Sequence, residues 1–421
     1  MRVFKFGGAS VKNADAVRNV LHILRMYPDD QIIVVVSAMD KTTNRLEEVV
    51  QSILARREEA FTQQCKEILA FHERIVTALF SDAQAPIYKF LEEEFQALRK
   101  KFDDPISAHF GFEYDQVVSL GEILSSKILA AFLEQEGLTS AWLDARKLVR
   151  TDAHFKEANI DWGTTENLIR SSLSEMPTVP CFVTQGFIGH TQEGDTTTLG
   201  REGSDYSAAI FAYALEAKDV TIWKDVPGML NADPKYFQKT QLLSSISYRE
   251  AIELSYFGAS VIHPKTVKPL QNKGIPLHIK SFISPHEDGT IIQQAHQFDH
   301  LIPSFIVKKN QLLITISAND FSFINEDALA KIFERFYQNA IKINLMQNSA
   351  LNFSTLVDSE KVDIEYLIEM FKPEFNCKYN ENVELLTIRH YNAPILDELL
   401  RDKTILLEQR SRQTARFVYR P

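Results

Sequence analysis

Residues Met1–Val36 read MRVFKFGGASVKNADAVRNVLHILRMYPDDQIIVVV. Val3–Phe6 is a short apolar run that predicts a strand, and Gly7 and Gly8 close it. Gln31–Val36 is a second apolar run, continuous and rich in β-branched residues. That is the pattern of a parallel strand covered on both faces. Between them, Ala14–Met26 has helical spacing. Strand, helix and strand in this order form a β-α-β unit, the seed of a doubly wound sheet. Two glycines at a strand-to-helix turn also let backbone N–H groups approach an anion closely. For Lys5-Phe6-Gly7-Gly8-Ala9-Ser10 alone, a phosphate cradle and a plain tight turn both remain open.

Further along, the same alternation continues. Thr139–Leu143, Val179–Thr184, Val220–Trp223 and Leu277–Lys280 read as strands, mostly separated by helical segments. From Asn44 to about Lys101 the pattern is helical, with Leu46, Val49, Val50 and Ile53 on one face. This stretch has no glycine and only Pro86, and it predicts a helical insertion over residues 44–105 of an α/β domain spanning 1–295. Composition shifts near Asp288–Pro303, and no glycine follows. Leu312–Ser317, Ile341–Met346, Leu351–Val357 and Val383–Arg389 read as strands. Asp327–Asn339, Ile364–Phe371 and the short Ala393–Asp402 read as helices. The expected boundary lies near residue 300. Residues 300–421 are expected to form a tandem of small α+β modules, the second abbreviated.

Composition narrows the class. The chain has 421 residues, 45% hydrophobic and 24% charged, the profile of an ordinary globular protein. A net charge of −10 offers no general attraction to nucleic acid or acidic membranes. The N-terminus lacks a signal-peptide pattern, and no apolar stretch reads as reaching a membrane-spanning length. Cys65, Cys181 and Cys377 are odd in number and scattered, which points to a reducing, cytoplasmic setting without disulfides or metal knuckles.

Four further clusters carry chemistry. Neither the P-loop pattern nor the dinucleotide fingerprint is present, so phosphate handling would need another arrangement. Thr196–Asp205 (TTTLGREGSD) combines hydroxyls, glycines, Arg201 and Asp205 before an apolar helix, and arginine suits a bidentate grip on a carboxylate. Ile222–Gly228 (IWKDVPG) ends a strand, where α/β sheets bind ligands. Ser37-Ala38-Met39 closes the second strand, with Thr43-Asn44 just beyond. Ser119-Leu120-Gly121-Glu122 puts a carboxylate in a first helical turn, where the helix dipole alone would also favour it.

Together these motifs resemble the aspartate kinase family, within the amino-acid kinase fold. KFGGAS, VVVSAM with TTN, SLGE, TQGFIG (Thr184–Gly189), TTTLGREGSDYSA, WKDVPG and FGASVIHP (Phe257–Pro264) follow the family's order over about residues 1–295. The resemblance implies ATP-dependent phosphorylation of the β-carboxylate of L-aspartate, with Mg²⁺ carried mainly by the nucleotide phosphates rather than by protein ligands. A carboxylate acceptor is already ionised at neutral pH, so no general base is required.

Carried over, Lys5 would neutralise the moving phosphoryl, and Gly7, Gly8 and Ser10 would cradle it. Asp205 would orient Lys5 or help hold substrate and metal. Arg201 would clamp the α-carboxylate of aspartate and Glu122 its amino group. Ser37, Ala38, Thr43 and Ser204 would line the acceptor pocket. Asp225, Leu230 and Lys235 would lie on the ATP side. The family often has Thr where this chain has Lys224, and Lys where it has Ser260, so Lys224 would supply the missing cation to the ATP phosphates. Leu230 and Lys235 replace a family Tyr and Arg. His263 reads as structural.

The tail resembles the paired ACT modules of the family, which bind an amino-acid end product and dimerise. Asn344–Ser349 (NLMQNS) departs from the family's Asp-plus-TTSE run, which degrades the effector signature. Ser317, Asn325 and Asn348 would be the contacts for lysine or threonine. The chain reads as monofunctional and homodimeric. The alternatives are a glutamate or uridylate kinase of the same fold, and a non-catalytic amino-acid sensor.

Overall fold

The computed structural model describes residues 1–259, 262–294 and 302–421, which form two compact units. The first comprises residues 1–229, 242–252 and 261–296. The second comprises residues 230–241, 253–260 and 297–421, so two short segments from before residue 300 belong with the tail.

In chain order the first part runs β1 (Arg2–Phe6), α1 (Ala14–Arg25), β2 (Ile32–Val36), α2 (Thr42–Leu54), α3 (Glu58–Leu79), α4 (Pro86–Asp103), α5 (Phe110–Val118) and α6 (Leu120–Gln135). Next come β3 (Ser140–Leu143), α7 (Trp162–Ser174), β4 (Cys181–Gln185), β5 (Ile188–His190), β6 (Thr196–Thr198), α8 (Gly203–Leu215) and β7 (Val220–Lys224). It continues through β8 (Ser245–Ser247), α9 (Tyr248–Phe257), α10 (Pro264–Lys273), β9 (Leu277–Ser281) and β10 (Thr290–Gln293). The 8-stranded sheet has the order β3-β4-β2-β1-β7-β9-β10-β8. The strands from β3 to β9 pair in parallel, and β10 runs antiparallel to β9.

Side-chain alternation along β1 decides what the site receives. Phe4 and Phe6 enter the main core with Val17 and Val20 of α1. Lys5 points the other way, toward α8. Every residue of β2 is buried, as its continuous β-branched run predicts. Asn13 starts α1, its side chain accepting from the Ala16 N–H at 2.9 Å. After β2 the helices α2, α3 and α4 bury Leu46, Val49, Ile68, Leu91 and Leu98 in the same core as β1 and β2.

One expectation needs correction. Phe110–Gln135 is long and apolar enough by composition to cross a membrane. Of its most apolar window, 83% is buried inside the fold, the mark of a core helix.

The second unit continues with β11 (Ser304–Ala318), α11 (Glu326–Gln338), β12 (Ile343–Asn348), β13 (Phe353–Asp358), α12 (Ile364–Phe371) and β14 (Phe375–Arg389). It ends with α13 (Ala393–Leu400), β15 (Thr404–Arg410) and β16 (Thr414–Arg420). Its antiparallel sheet has the order β12-β13-β11-β14-β16-β15. β11 and β14 are 15 residues each, longer than their apolar segments predict, and they pair along nearly their whole length. Each serves two modules. The far half of β11 packs Leu312, Ile314 and Ile316 with α11 and α12, while Phe305 and Val307 pack beside Leu396 of α13. Asn344, where the family's Asp was expected, is a buried member of this sheet. Its amide donates to Gln311 Oε1 and Asp358 Oδ1, both at 2.8 Å, and accepts from Lys308 at 2.8 Å.

Candidate active site

The C-terminal ends of β1, β2 and β7 open into a cleft of about 540 Å³. β1 lies where the chain's path reverses: β2, β4 and β3 build outward on one side, β7 and β9 on the other. Such reversals leave a crevice at the strand ends.

Three charges form its floor. Lys5 Nζ lies 2.7 Å from Asp205 Oδ1, and Lys224 Nζ lies 3.5 Å from Asp205 Oδ2. Asp205 sits in the first turn of α8, and Lys224 is the last residue of β7. Burial pushes the Asp205 carboxyl upward, but attraction to Lys5 and then to Lys224 outweighs it and holds the group below the usual carboxylate range. An ionised Asp205 lets two lysines share one site, and the trio keeps one net positive charge facing the cleft.

A second carboxylate is set differently. Glu122 in the first turn of α6 is buried, and its Oε1 accepts from the Ala38 N–H at 3.2 Å. Its Oε2 has no hydrogen-bond partner among the described residues. Burial raises this carboxyl to about 8, against smaller opposing pulls from the Ala38 N–H and Lys5. A buried, unpartnered carboxylate oxygen in a cleft wall is a place for a ligand's cationic or donor group.

Close backbone approaches shape the walls. A Cβ on Gly8 would stand 2.7 Å from the Ala38 carbonyl oxygen and 2.8 Å from that of Asp40, so only glycine lets the turn after β1 lie on the loop after β2. A Cβ on Gly186 would stand 2.5 Å from Ser204 Cβ, where the segment after β4 meets the start of α8. Arg201 is exposed just before that helix, in a loop that includes Glu202 at φ +54°. The positive end of the α8 dipole adds to the preference for anions.

Of the residues expected from sequence, the cleft gathers Lys5, Gly8, Ser37, Ala38, Thr43, Glu122, Arg201, Ser204, Asp205 and Lys224. Gly7, Ser10 and Asp225 are not in its wall. Ser10 is buried, and its hydroxyl donates to the Trp223 carbonyl at 3.5 Å, so it ties the turn to β7 rather than facing a ligand. Asp225 is exposed in the turn after β7. Leu230 and the exposed Lys235 belong to the second compact unit. Ser260 lies outside the described residues. His263 caps α10, accepting from the Lys265 N–H at 3.1 Å, which is a structural role. Sequence reasoning missed Asp40, Tyr114, Lys156, Phe187 and Glu202, which also line the cleft. Phe187 and Glu202 lie inside or beside quoted motifs. Tyr114 and Lys156 carry no local signal and reach the cleft only through folding.

In the second unit, Ser317 lines a cavity of about 710 Å³ with Asn376 and Lys378. Asn325 instead caps α11, accepting from the Ala328 N–H at 3.1 Å. Asn348 donates to the Ile324 carbonyl at 3.5 Å and is also absent from that cavity wall.

A covered parallel sheet with a cation–carboxylate–cation cluster at its strand ends defines an enzyme-like site for anionic ligands. Residues 1–281 match the amino acid kinase family. The chain is 30% identical over 361 residues to lysine-sensitive aspartokinase 3 of Escherichia coli, spanning 85% of this chain and 78% of that one. The chain therefore belongs to the amino acid kinase family, in its aspartokinase branch. It is also 31% identical over 379 residues to chloroplastic aspartokinase 1 of Arabidopsis thaliana, covering 87% of this chain. It spans 65% of that relative's length, and 35% of the length of the plant's bifunctional aspartokinase/homoserine dehydrogenase 2. The solved structure of E. coli aspartokinase III in complex with lysine and aspartate superposes with a TM-score of 0.82 at 25% identity, covering 99% of this chain and 95% of the other.

Proposed function

We propose that this protein transfers the γ-phosphoryl group of ATP to the β-carboxylate of L-aspartate, forming 4-phospho-L-aspartate and ADP, the entry to lysine, threonine and methionine synthesis. The observation that carries the reading is the pairing of two unlike sites in one cleft: the Lys5–Asp205–Lys224 cluster and the unpartnered oxygen of Glu122. Phosphoryl transfer to a carboxylate needs positioning and charge neutralisation rather than a base. Lys5 and Lys224 stabilise the charge spreading over the phosphoryl oxygens. Asp205 orients both, and because each of its oxygens faces a lysine, Mg²⁺ would travel on the nucleotide phosphates. Glu122 takes the substrate ammonium and Arg201 its α-carboxylate. Ser37, Ala38, Thr43 and Ser204 shape the acceptor end. Structures of E. coli aspartokinase III with aspartate and ADP, and with lysine and aspartate, support these ligands as the class to test.

The second unit serves regulation and dimerisation in this reading, in the cytoplasm. Phe321, Phe323 and Tyr337 are 86%, 71% and 86% exposed, a large apolar presence for an uncovered surface. Of the expected effector contacts Ser317 lines the 710 Å³ cavity and Asn325 and Asn348 do not, which makes Ser317 the residue to alter in a lysine or threonine titration.

The deciding assay is hydroxamate formation from ATP, Mg²⁺, hydroxylamine and aspartate, compared with glutamate and with UMP phosphorylation. Product with aspartate alone supports the proposal. Transfer to glutamate or UMP would assign another branch of the fold. No product with any acceptor at millimolar concentration would favour a sensor.

A further inference from the structure

Asp115 takes no part in the chemistry above, yet it is the fully buried carboxylate that ties together the backbone behind the cleft. It lies on α5 with no exposed surface and is absent from the cleft wall. Its Oδ1 accepts from the Thr198 hydroxyl at 2.7 Å, and its Oδ2 accepts from the Thr198 N–H and the Lys156 N–H, both at 2.9 Å. Burial raises this carboxyl, and those three donors and the Lys156 charge pull the other way.

The two segments it grips lead directly into the cleft. Thr198 is the last residue of β6, and Arg201 follows three residues later. Gly200 between them has φ +76°, and Glu202 beyond has φ +54°. A loop with two left-handed residues has few ways to be held, so its root matters. At that root Thr198 is fixed by Asp115, its carbonyl accepts from the Ala158 N–H at 3.0 Å, and the Leu199 N–H donates to the Phe187 carbonyl at 2.8 Å. Lys156 lines the cleft from a left-handed backbone with φ +73°. Its ammonium lies 4.6 Å from the Tyr114 ring centroid and 4.9 Å from that of Phe110, both on α5. Tyr114 in turn donates to Glu47 Oε1 at 2.6 Å. Thus α5 holds both cations, Arg201 through Asp115 and β6, Lys156 through Asp115 and two aromatic rings.

We propose that Asp115 is a positioning residue for the acceptor end of the site, setting the place of Arg201 and the backbone of Lys156 so that the two cations receive a dicarboxylate substrate. The proposal rests on the reading of this cleft as the aspartate site. It assigns Asp115 an effect on acceptor binding and none on the nucleotide, because Lys5 and Lys224 sit on β1 and β7, away from α5.

The test is steady-state kinetics on Asp115→Asn, Arg201→Ala and the double variant. Asn can keep both backbone N–H donors on its one carbonyl oxygen, but it removes the charge and turns an NH₂ group toward the Thr198 hydroxyl, without changing size. The KM for aspartate should rise about tenfold, as expected for the loss of charge-assisted hydrogen bonds, while the KM for ATP stays within about twofold. In the Arg201→Ala background, Asp115→Asn should raise the KM by less than it does in the wild type, since the part of its effect that passes through Arg201 is already lost and only the part through Lys156 remains. Additive effects on KM, or a parallel rise for ATP, would show a merely structural role and overturn the proposal. If Asp115→Asn does not fold, Thr198→Val removes one of the three bonds and is held to the same criteria with a smaller shift. A wild-type protein that makes no hydroxamate from aspartate refutes the function itself; an active wild type with additive variants refutes only the positioning role.

Discussion

Lys224 Nζ stands 3.5 Å from Asp205 Oδ2, on the carboxylate oxygen opposite the one that Lys5 holds at 2.7 Å. The parallel register of β1 and β7 sets Lys5 beside Ile222 and Phe6 beside Trp223, so Lys224 emerges level with the glycine turn. The second cation therefore comes from the neighbouring strand end.

This arrangement predicts what loss of Lys224 does. Removing a donor aimed at transition-state charge typically costs about 3 kcal/mol. Lys224→Ala should lower turnover on the order of a hundredfold or weaken ATP binding severely, measured by coupled ADP release. Lys224→Arg should restore part of the activity, since the charge returns. Unchanged kinetics with ATP in the alanine variant would remove Lys224 from the mechanism.

Glu122 predicts a pH dependence. Burial pushes its carboxyl up to about 8, so below that pH the proton opposes pairing with an ammonium. Substrate must displace the proton, and binding strengthens as the proton is lost. The KM for aspartate should fall as pH rises from 6 to 8, by at most about tenfold per unit, and level off above. Glu122→Gln should raise the KM and flatten this limb. A flat wild-type profile at constant ionic strength would contradict the assignment.

His72 predicts acid sensitivity of the fold. It is fully buried in α3, with Nδ1 2.8 Å from the Ile68 carbonyl, and Nε2 has no partner among the described residues. Burial lowers it from 6.5 to about 4; the Ile68 bond opposes this shift and Arg45 adds to it. The unfolded chain therefore binds a proton near pH 6.5 that the native state refuses until about 4. Stability is full above pH 6.5 and falls as pH drops through this window, by on the order of 3 kcal/mol. Urea unfolding at pH 7.5 and 4.5 should show this loss, and His72→Leu should reduce it.

Much of the site was legible because its residues sit in contiguous motifs. KFGGAS, SLGE and TTTLGREGSD each bring charge and glycine together within a few positions, and their family order supplied roles. The misses have a common cause. Ser10 belongs to the glycine motif, but the 3-10 turn at Gly8–Val11 leaves its hydroxyl facing the Trp223 carbonyl. Asn325 has the chemistry of an effector contact, but its helix uses it as a cap. A side chain's direction follows from local backbone geometry, which residue type does not encode. Tyr114, Asp115 and Lys156 lie outside the motifs that suggested a function, and they matter because α5 packs beside β6.

The sequence alone determined the parallel β-α-β start, the helical run that follows it, the glycine-free tail and the motif order that marks the amino acid kinase family. These are local or ordinal properties, written in periodicity and spacing. Tertiary structure decided that Asp205 serves two lysines at once, that one oxygen of Glu122 has no partner among the described residues, and that Asp115 binds the Thr198 and Lys156 backbones. Each joins residues tens to hundreds of positions apart. Their distances and burial arise only when strands β1 and β7 lie side by side and helices close over the sheet.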